Sequence, residues 1–354
     1  MADVKNKNKK INIILPISLV IAILILTICD YFYNYRRNVP KITNQTVAMG
    51  SPILCSVYTT DKSTAEKITK EIFDQIRYTD TSCLSSTNEK SEIYKLNTTK
   101  STALSPKTLE VIKKGIEYKK DCKFFDVTVG NLSSCWGIDT DHAKVPSQTE
   151  INNAISTIDI NSINISKSPQ EISIGKTQKI DLGALGKGVA CDESKRIFVK
   201  ENVKSAIVSA GGSIVLHGKF PNSKDGLWTV GIKRPQIDKN DYVISVKVPE
   251  CFVSTSGDYE KVLVKDGKTY HHILNPFTGY PIENNLSSVT VFASSGIDAD
   301  FLSTACYSLG YNEESLNLLK KYNAEAIFID HDKKITCTEK IKSKMKIEDN
   351  SYKF

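Results

Sequence analysis

Segments with strand-like and helix-like patterns follow one another in this chain without the regular β-α-β alternation of a doubly wound parallel sheet. Alternating apolar residues predict strands at Trp228–Lys233, Tyr242–Val248 and Leu286–Ala293. Apolar residues at helical spacing predict helices over residues 63–78 and 105–120. This irregular order favours the α+β class. The 354 residues are enough to bury a sizeable hydrophobic core.

A glycine-rich stretch at residues 180–192 connects a predicted strand to a predicted helix. It reads Ile-Asp-Leu-Gly-Ala-Leu-Gly-Lys-Gly-Val-Ala-Cys-Asp, with Asp181 at its entrance and Lys187 among the glycines. Glycines allow a ligand to approach the backbone closely, and the free N–H groups at a helix N-terminus suit a phosphate. The spacing matches neither the dinucleotide-binding motif nor the P-loop. Two interpretations therefore stay open, a phosphate-binding turn and an ordinary tight connection between strand and helix.

The N-terminal region has the composition of a membrane anchor. Residues 11–29 are almost continuously apolar, and residues 1–10 before them contain four lysines. At about 1.5 Å per residue this run nearly spans the hydrocarbon core of a bilayer. The apolar run predicts a single transmembrane helix, and the lysines before it favour a cytoplasmic N-terminus. Residues 30–45 would then be a linker, and the main domain would lie outside the cytoplasm. A cleaved signal peptide is the alternative, although no small-x-small cleavage site follows the run.

Charge and cysteine spacing argue against two broad classes of protein. The formal net charge is +7, and residues 1–37 contribute +4 through four lysines and two arginines against two aspartates, which leaves +3 for the rest. The sequence has no basic stripe with interleaved aromatic residues, so nucleic acid is not an expected partner. None of the nine cysteines forms a Cys-x-x-Cys pair or lies at zinc-binding spacing from a histidine, so a zinc site is not expected.

Residues 298–304 combine carboxylates and hydroxyls on a predicted helix. Asp300 and Thr304 are four residues apart and therefore share one face of that helix. A carboxylate and a hydroxyl are oxygen ligands of the kind that Mg²⁺ prefers. The alternative interpretation is a helix cap, with Asp298 or Asp300 at the N-cap position and Thr304 simply buried.

His271 and His272 lie shortly before a Pro-x-x-Gly-x-Pro turn that starts at Pro276. Successive side chains on a strand point to opposite faces, so at most one of the two imidazoles can enter a given site. A histidine in such a place can act as a general base or as a positioning group near neutral pH. An ordinary polar strand end is the alternative.

Five sequence blocks, taken in order, resemble the ApbE family of FAD:protein FMN transferases. The blocks are Met49-Gly50-Ser51; Phe125-Asp126 to Gly130; Asp181-Leu182-Gly183 to Gly188; Ser256-Gly257-Asp258-Tyr259 with His272 to Pro281; and Ala299-Asp300 to Thr304. The resemblance implies an enzyme with the mixed α+β fold of this family over residues 46–345. Residues 346–354 would then be a C-terminal tail.

For this chain the resemblance implies Mg²⁺-dependent transfer of FMN from FAD to a threonine or serine hydroxyl of another protein, with release of AMP. The implied metal ligands are Asp300, Thr304, Ser303 and the backbone carbonyl of Ala184. The residues expected to contact FAD are Met49, Phe124, Phe125, Asp126, Asp181, Lys187 and the backbone near Leu274. His272 is the implied catalytic residue, which would deprotonate or orient the acceptor hydroxyl.

Three positions depart from the family's pattern. Asn88 follows Thr87 where the family often has an aromatic residue near the flavin, Val127 stands in place of a proline, and Asn275 stands in place of an aspartate. The first departure argues against aromatic stacking on the flavin at that position. None of the three removes an implied metal ligand.

The resemblance also implies partners and a location. The expected partners are acceptor flavoproteins of extracytoplasmic or membrane electron transfer, and the expected location is the cell membrane with an extracytoplasmic catalytic domain. Two other functions would use the same site, an FAD pyrophosphatase that yields FMN and AMP, and a non-catalytic, membrane-anchored flavin-binding protein. A degenerate metal site would favour the non-catalytic protein, but Asp300 and Thr304 are both present.

Overall fold

A computed structural model describes residues 38–138, 140–166 and 171–354 of the chain. The transmembrane helix predicted over residues 11–29 lies outside these ranges. Among the described residues, none of the helices combines the length and the apolar character that crossing a bilayer requires.

An eight-stranded antiparallel sheet is the largest element of the described chain. The strands, in chain order, are β1 (Lys41–Ala48), β2 (Ser51–Tyr58), β3 (Ser101–Ala103), β4 (Asn164–Ile165), β5 (Glu171–Ser173), β6 (Ser205–Ala210), β7 (Ser213–Gly218), β8 (Trp228–Lys233), β9 (Tyr242–Val248), β10 (Cys251–Gly257), β11 (Val262–Lys265), β12 (Lys268–His271), β13 (Leu286–Ala293), β14 (Glu325–Asp330), β15 (Ile335–Cys337) and β16 (Met345–Ile347). The large sheet has the order β1-β2-β6-β7-β10-β13-β14-β15, and each neighbouring pair is antiparallel. Three small sheets, β16-β9-β8, β3-β5-β4 and β11-β12, complete the described strands.

The helices lie between these strands in the sequence without regular alternation. They are α1 (Lys62–Tyr78), α2 (Glu92–Thr99), α3 (Pro106–Asp121), α4 (Gly130–Trp136), α5 (Gln148–Ile155), α6 (Gly183–Lys200), α7 (Gly296–Leu309), α8 (Glu313–Lys321) and α9 (Glu339–Lys342), with a π-helical turn at Thr79–Leu84 and a 3₁₀ turn at Ile160–Ser162. Helix α6 packs against β7, and α7 packs against β10 and β13. The mixed fold agrees with the predicted combination of helices and strands.

The large sheet is buried on both faces. Every residue of β13 is buried. Val289 and Val291 belong to the core beneath the helices, whereas Phe292 belongs to a second core shared with β8 and β9. Because side chains alternate across a strand, the large sheet forms the middle layer between helices on one face and a small sheet on the other.

Helices α6 and α7 cross at two glycines with almost no space between their backbones. A Cβ atom added at Gly188 would lie 2.2 Å from the Gly296 carbonyl oxygen, and one added at Gly296 would lie 2.3 Å from the Gly188 carbonyl oxygen. Any larger residue at either position would have to push the helices apart. This crossing places the start of α6 directly against the start of α7.

The glycine-rich stretch is part of a helix rather than a turn before one. Helix α6 begins at Gly183, so Gly186 and Gly188 lie within its first two turns. The strand predicted before it is limited to β5, Glu171–Ser173. Tertiary contact explains the difference from the prediction, because the crossing with α7 requires glycine inside a helix, where glycine is intrinsically unfavourable.

The sheet begins earlier, and the packed chain ends later, than the sequence predicts. Strand β1 starts at Lys41, inside the predicted linker, and its residues alternate between exposed and half-buried up to Val47. Such an edge strand lacks the apolar pattern on which strand prediction depends. In the predicted tail, β16 pairs with β9 and the side chain of Tyr352 is only 4% exposed.

Candidate functional site

The Asp300 carboxylate lies in a buried hydrogen-bond network where α6, α7 and the large sheet meet. Its Oδ2 accepts a hydrogen bond from the backbone N–H of Gly188 at 2.8 Å. Its Oδ1 accepts from the hydroxyls of Ser254 at 2.9 Å and Ser213 at 3.1 Å. The side chain is 4% exposed and forms no ion pair with any described residue. A buried negative charge is thus held by neutral donors alone, and this arrangement favours a bound cation.

A row of hydroxyl groups continues from Asp300 along α7 and β10. Ser303 Oγ donates to the Asp300 carbonyl at 3.0 Å and lies 2.8 Å from Ser256 Oγ. Ser256 Oγ lies 3.3 Å from Thr304 Oγ1. Ser303 is fully buried, whereas Thr304 is partly exposed. The structure therefore brings Asp300, Ser303 and Thr304 together, with Thr304 at the accessible end.

The helix-cap interpretation of the acidic segment is wrong. The N-cap of α7 is Ser295, whose side chain accepts from the backbone N–H of Asp298. Asp298 Oδ1 accepts a 2.5 Å hydrogen bond from the Tyr118 hydroxyl. Asp192, in α6, also caps α7, because its two oxygens accept from the N–H groups of Gly296 and Ile297 at 2.8 Å each. Asp300 is free of any capping role.

The Ala184 carbonyl lies in the first turn of α6, one helical turn before the Gly188 N–H that donates to Asp300. In an α-helix the N–H of residue 188 is the partner of the carbonyl of residue 184. Here the Gly188 N–H is 2.8 Å from Asp300 Oδ2, so the carboxylate competes for it. A carbonyl whose partner is shared in this way has capacity for another positive ligand. Asp300, Thr304 and Ala184 each offer an oxygen of the type that suits a hard cation.

No group of three or more histidine, cysteine or acidic residues among the described residues is arranged to hold a metal. A cation at Asp300 would therefore have one carboxylate and several neutral oxygens around it. Mg²⁺ suits such a set, because it usually keeps waters or substrate phosphates in its remaining positions. The residues present thus fit Mg²⁺ rather than a nitrogen- and sulfur-preferring metal.

Lys187 and Glu260 flank the turn between β6 and β7. A Cβ atom added at Gly211 would lie 3.8 Å from Lys187 Cδ, and one added at Gly212 would lie 3.1 Å from Glu260 Oε1. Neither side chain has a hydrogen bond or ion pair with the described residues. Partial desolvation raises the pKa of the Glu260 carboxyl, although its side chain stays accessible to water and the positive charge of Lys187 opposes the rise.

The two adjacent histidines differ in their surroundings, although only His271 belongs to a strand, because β12 ends there. His271 is buried; its Nε2 lies 2.9 Å from the Ile282 carbonyl oxygen, and its Nδ1 accepts from the Ile273 N–H at 3.3 Å. His272 is held by its backbone N–H, which donates to the Lys261 carbonyl at 3.2 Å. Its buried Nδ1 has no hydrogen-bond partner among the described residues. Of the pair, His272 therefore keeps a ring nitrogen available.

Burial and nearby positive charge keep His272 neutral. Burial is the larger cause and the charge of Lys187 comes next; together with smaller contributions they lower the pKa of the imidazole from 6.5 to about 3. The ring is therefore uncharged near neutral pH and can accept a proton. The Lys187 amine therefore lies within electrostatic range of the His272 ring.

Phe125 and Asp126 are engaged by the protein itself. The Phe125 side chain is 5% exposed, and its ring contacts that of Phe301 in α7 at a centroid distance of 5.0 Å. Asp126 Oδ1 accepts from the Thr128 N–H at 2.9 Å and from its hydroxyl at 2.6 Å, and Oδ2 lies 3.3 Å from Lys119 Nζ. In this structure both side chains support the segment beneath α7, and their contact with FAD stays a prediction.

The other residues expected to contact FAD are at least partly accessible. Met49 has a left-handed backbone, with φ at 52°, and its N–H donates to Asp80 Oδ2 at 2.7 Å. Asp181 Oδ1 accepts from the Gly183 N–H at 2.7 Å, just before α6. Phe124 and Leu274 are half-buried. The contact of these residues with FAD also stays a prediction.

Sequence analysis missed several residues of this site. Ser213, Ser254 and Glu260 carry no motif of their own, and the first two reach Asp300 only because β7 pairs with β10. The glycine pair at residues 211–212 was the available signal for Ser213, because a strand residue directly follows it. Nothing in the local sequence distinguishes Glu260 from a surface acid.

Comparison with known proteins gives a consistent family match. A family model described as the ApbE family matches residues 49–328. The FAD:protein FMN transferase of Treponema pallidum is 32% identical over 238 residues, which are 64% of this chain and 66% of that protein, just under two thirds of its length. The FAD:protein FMN transferase of Klebsiella pneumoniae is 28% identical over 304 residues, 82% of this chain and 89% of that protein.

Solved structures agree on the fold. The ApbE protein of Thermotoga maritima superposes with a TM-score of 0.79 at 26% identity, and the match covers 86% of this chain and 99% of that one. The flavin transferase ApbE of Vibrio cholerae superposes with a TM-score of 0.70 at 25% identity, again over 86% and 99% of the two chains.

Proposed function

This chain belongs to the ApbE family, and on that premise we propose that it is an FAD:protein FMN transferase that moves FMN from FAD to a threonine or serine hydroxyl of an acceptor flavoprotein. It is thus an enzyme of the flavin-transferase class. We further propose that the reaction needs Mg²⁺ and releases AMP. The observation that carries the proposal is the Asp300 carboxylate, buried among neutral donors beside a row of hydroxyls, with no ion pair from the described residues.

Mg²⁺ would be held by the Asp300 carboxylate, the Thr304 hydroxyl and the Ala184 carbonyl. Ser303 would support this set rather than bind directly, because its hydroxyl is buried and already engaged with Ser256 and the Asp300 carbonyl. When bound, Mg²⁺ would neutralise negative charge on the pyrophosphate of FAD.

Lys187 would bind the pyrophosphate from the other side. Its amine is unpaired among the described residues and lies in electrostatic range of both Glu260 and His272. A free cation next to a glycine turn, where a substrate can approach the backbone closely, suits a phosphate group.

His272 would accept the proton of the acceptor hydroxyl. The hydroxyl oxygen would attack the phosphorus on the FMN side, the bond from that phosphorus to the AMP oxygen would break, and AMP would leave with the bonding electrons. The neutral ring with its unpartnered Nδ1 is in the protonation state that this role requires. Bound phosphates would raise the pKa of His272 from its low value, because opposite charge stabilises the imidazolium ion.

We also propose that residues 11–29 anchor the enzyme in the cell membrane with its catalytic domain outside the cytoplasm. Support comes from the apolar run and the lysines before it. Acceptors would then be extracytoplasmic or membrane flavoproteins of electron transfer.

The deciding experiment incubates the purified chain with FAD, Mg²⁺ and an acceptor domain that carries a flavinylation threonine. We expect flavin fluorescence on the denatured acceptor, release of AMP, and loss of both in EDTA. AMP without a labelled acceptor would support the FAD pyrophosphatase instead. Bound FAD with neither product would support a non-catalytic flavin-binding protein.

A further inference from the structure

The side chain of Phe277 is an exposed aromatic group on a rigid loop. It is 58% exposed, which is unusual for so large an apolar ring. Asn275 Oδ1 accepts from the Phe277 N–H at 2.9 Å, and the Asn275 carbonyl accepts from the Gly279 N–H at 2.8 Å. The indole N–H of Trp136 donates to the Gly279 carbonyl at 2.7 Å. Exposure of Phe277 is therefore a fixed property of the loop and not a consequence of loose packing.

A second aromatic ring and two lysines surround Phe277. The ring of Phe124 meets it edge-on at a centroid distance of 5.9 Å. Lys119 Nζ lies 5.6 Å from the centroid of Phe277, and Lys123 Nζ lies 5.3 Å from that of Phe124. Aromatic faces next to cations can bind both apolar and acidic parts of a polypeptide.

The positive charge of this surface is not neutralised by the rest of the described chain. Lys119 is paired with the buried Asp126 at 3.3 Å. Lys123 is exposed and forms no ion pair with the described residues. Its positive charge is therefore available beside the ring of Phe124, and it would attract an acidic partner.

The surface lies close to the proposed catalytic histidine. Phe277 follows His272 by five residues, so their Cα atoms are at most about 18 Å apart. An extended polypeptide segment of about five residues covers that distance. A segment with its hydroxyl at His272 would therefore reach Phe277 with a residue about five positions away.

We propose that Phe124, Phe277 and Lys123, here called the Phe277 surface, dock the acceptor protein through an extended acidic segment that carries the reacting hydroxyl. This inference rests on the proposed transferase function and adds the chemistry of the partner to it. The aromatic rings bind the segment's side chains, and Lys123 selects negative charge.

The test measures binding of a defined probe to the full chain without turnover. The probe is a 15-residue peptide with one central threonine flanked by aspartates and glutamates, and its match has asparagine and glutamine at those positions. We expect the acidic peptide to bind about tenfold more tightly than the neutral one. Phe277→Ala and Lys123→Glu should each raise the Kd of the acidic peptide about tenfold.

The chain offers a matched control pair. Phe354 is 51% exposed, and Lys342 Nζ lies 5.1 Å from the centroid of its ring. Phe354→Ala and Lys342→Glu remove the same chemistry elsewhere, so we expect less than a twofold change in Kd. Equal effects in both pairs, equal affinity for the two peptides, or no binding of the acidic peptide would overturn the proposal.

Three further outcomes separate this inference from the proposed function. A Phe277→Ala variant that binds FAD tenfold more weakly, but the acidic peptide normally, would assign the surface to the flavin and overturn the docking proposal. Transfer to an acceptor protein with an unchanged KM in both variants would also overturn it, while leaving the transferase function intact. Peptide binding that depends on the Phe277 surface in a chain without transferase activity would support the surface and contradict the function.

Discussion

Asp300 shows how a single residue can be both buried and ready to bind a cation. Two serine hydroxyls and the Gly188 N–H stabilise its carboxylate, and no described lysine or arginine neutralises it. A Mg²⁺ ion would supply the positive charge that the described residues do not provide at Asp300.

Replacement of Asp300 by asparagine tests this role with little change of shape. We expect Asp300→Asn to lower the transfer rate at least about 100-fold, because the charge that binds the metal is lost. The amide N–H₂ group would also face one of the three donors and cost about 1–3 kcal/mol of stability. The specific measurement is the rise in Tm on addition of Mg²⁺, which the variant should lose.

Asp298 provides the matched control on the same helix. Its carboxylate is bonded to the Tyr118 hydroxyl and has no place in the proposed metal site. Asp298→Asn should keep the Mg²⁺-dependent rise in Tm. A rise that survives in Asp300→Asn would show that Asp300 does not bind the metal.

His272 should make the stability of the protein depend on pH. In the folded chain its pKa is lowered to about 3, whereas the unfolded histidine takes up a proton near 6.5. Between these pH values the unfolded state binds more protons than the folded state, so a fall in pH stabilises the unfolded state relative to the folded one. The free energy of unfolding should therefore decrease through this window, by at most about 1.4 kcal/mol per pH unit from this residue.

Urea unfolding at pH 6.5 and pH 4.5 measures that slope. We expect His272→Gln to lose less stability than the wild type over this interval, because glutamine takes up no proton. His142 is exposed, so His142→Gln should retain the slope of the wild type. Identical slopes in wild type and His272→Gln would contradict the assignment.

At the scale of elements, the crossing of α6 and α7 determines the geometry of the site. The crossing brings the Gly188 N–H to Asp300 Oδ2, and both helices contribute proposed metal ligands. Since the backbones touch at Gly188 and Gly296, the distance between the helices cannot increase without moving the carboxylate.

Two glycines in α6 give a direct test. A methyl group at Gly188 would lie 2.2 Å from the Gly296 carbonyl oxygen, whereas one at Gly186 would meet nothing within 4 Å. We expect Gly188→Ala to destabilise the protein by about 1–3 kcal/mol or more and to lower Mg²⁺ affinity. Gly186→Ala should be neutral or stabilising by up to about 1 kcal/mol, because alanine is the better helix former.

Chemical denaturation and a Mg²⁺ titration of both variants provide the readout. Equal stability of the two variants would mean that the helices can separate freely. It would then follow that the close crossing does not hold Asp300 in place.

Elements with a strong local pattern were predictable from the sequence, and edge elements were not. The hairpin at β11 and β12 was fixed by Asp266-Gly267, which adopt φ values of 51° and 73° as a primed turn requires. Strand β1 alternates between exposed and half-buried residues and has few apolar ones, so no periodic signal marks it. Helix α6 was displaced in the prediction because its glycines serve a tertiary contact.

At the scale of the whole molecule, the C-terminal residues complete the second core. Tyr352 is buried against this core, and Arg234 binds both Asp241 and Asp349. Strand β16 adds to β9 at the edge of the small sheet. The last residues are therefore structural, although residues 346–354 were predicted to be a tail.

Deletion of residues 346–354 should destabilise the protein by about 3 kcal/mol or more, since it removes a buried tyrosine and an ion pair. The measurement is the midpoint of thermal unfolding, and it should fall by several degrees. Phe354→Ala changes only an exposed ring and should leave the midpoint unchanged. A truncated chain as stable as the full one would show that the packed tail contributes nothing.

Sequence blocks identified the parts of the site that local motifs carry, but not the groups that long-range pairing adds. Asp300, Thr304 and His272 lie in recognisable blocks, and the structure places the first two in one network. Ser213 and Ser254 come from paired strands, so their contact with Asp300 depends on register rather than on any local signal.

The network around Asp300 joins parts of the chain that are far apart. Its donors lie 46, 87 and 112 residues away along the sequence. Contacts of this range close large loops and form slowly compared with local structure. The ion-binding geometry cannot exist until β7, β10, α6 and α7 have all come together. It therefore reports the assembly of these four elements, and a chain interrupted before α7 would acquire none of it.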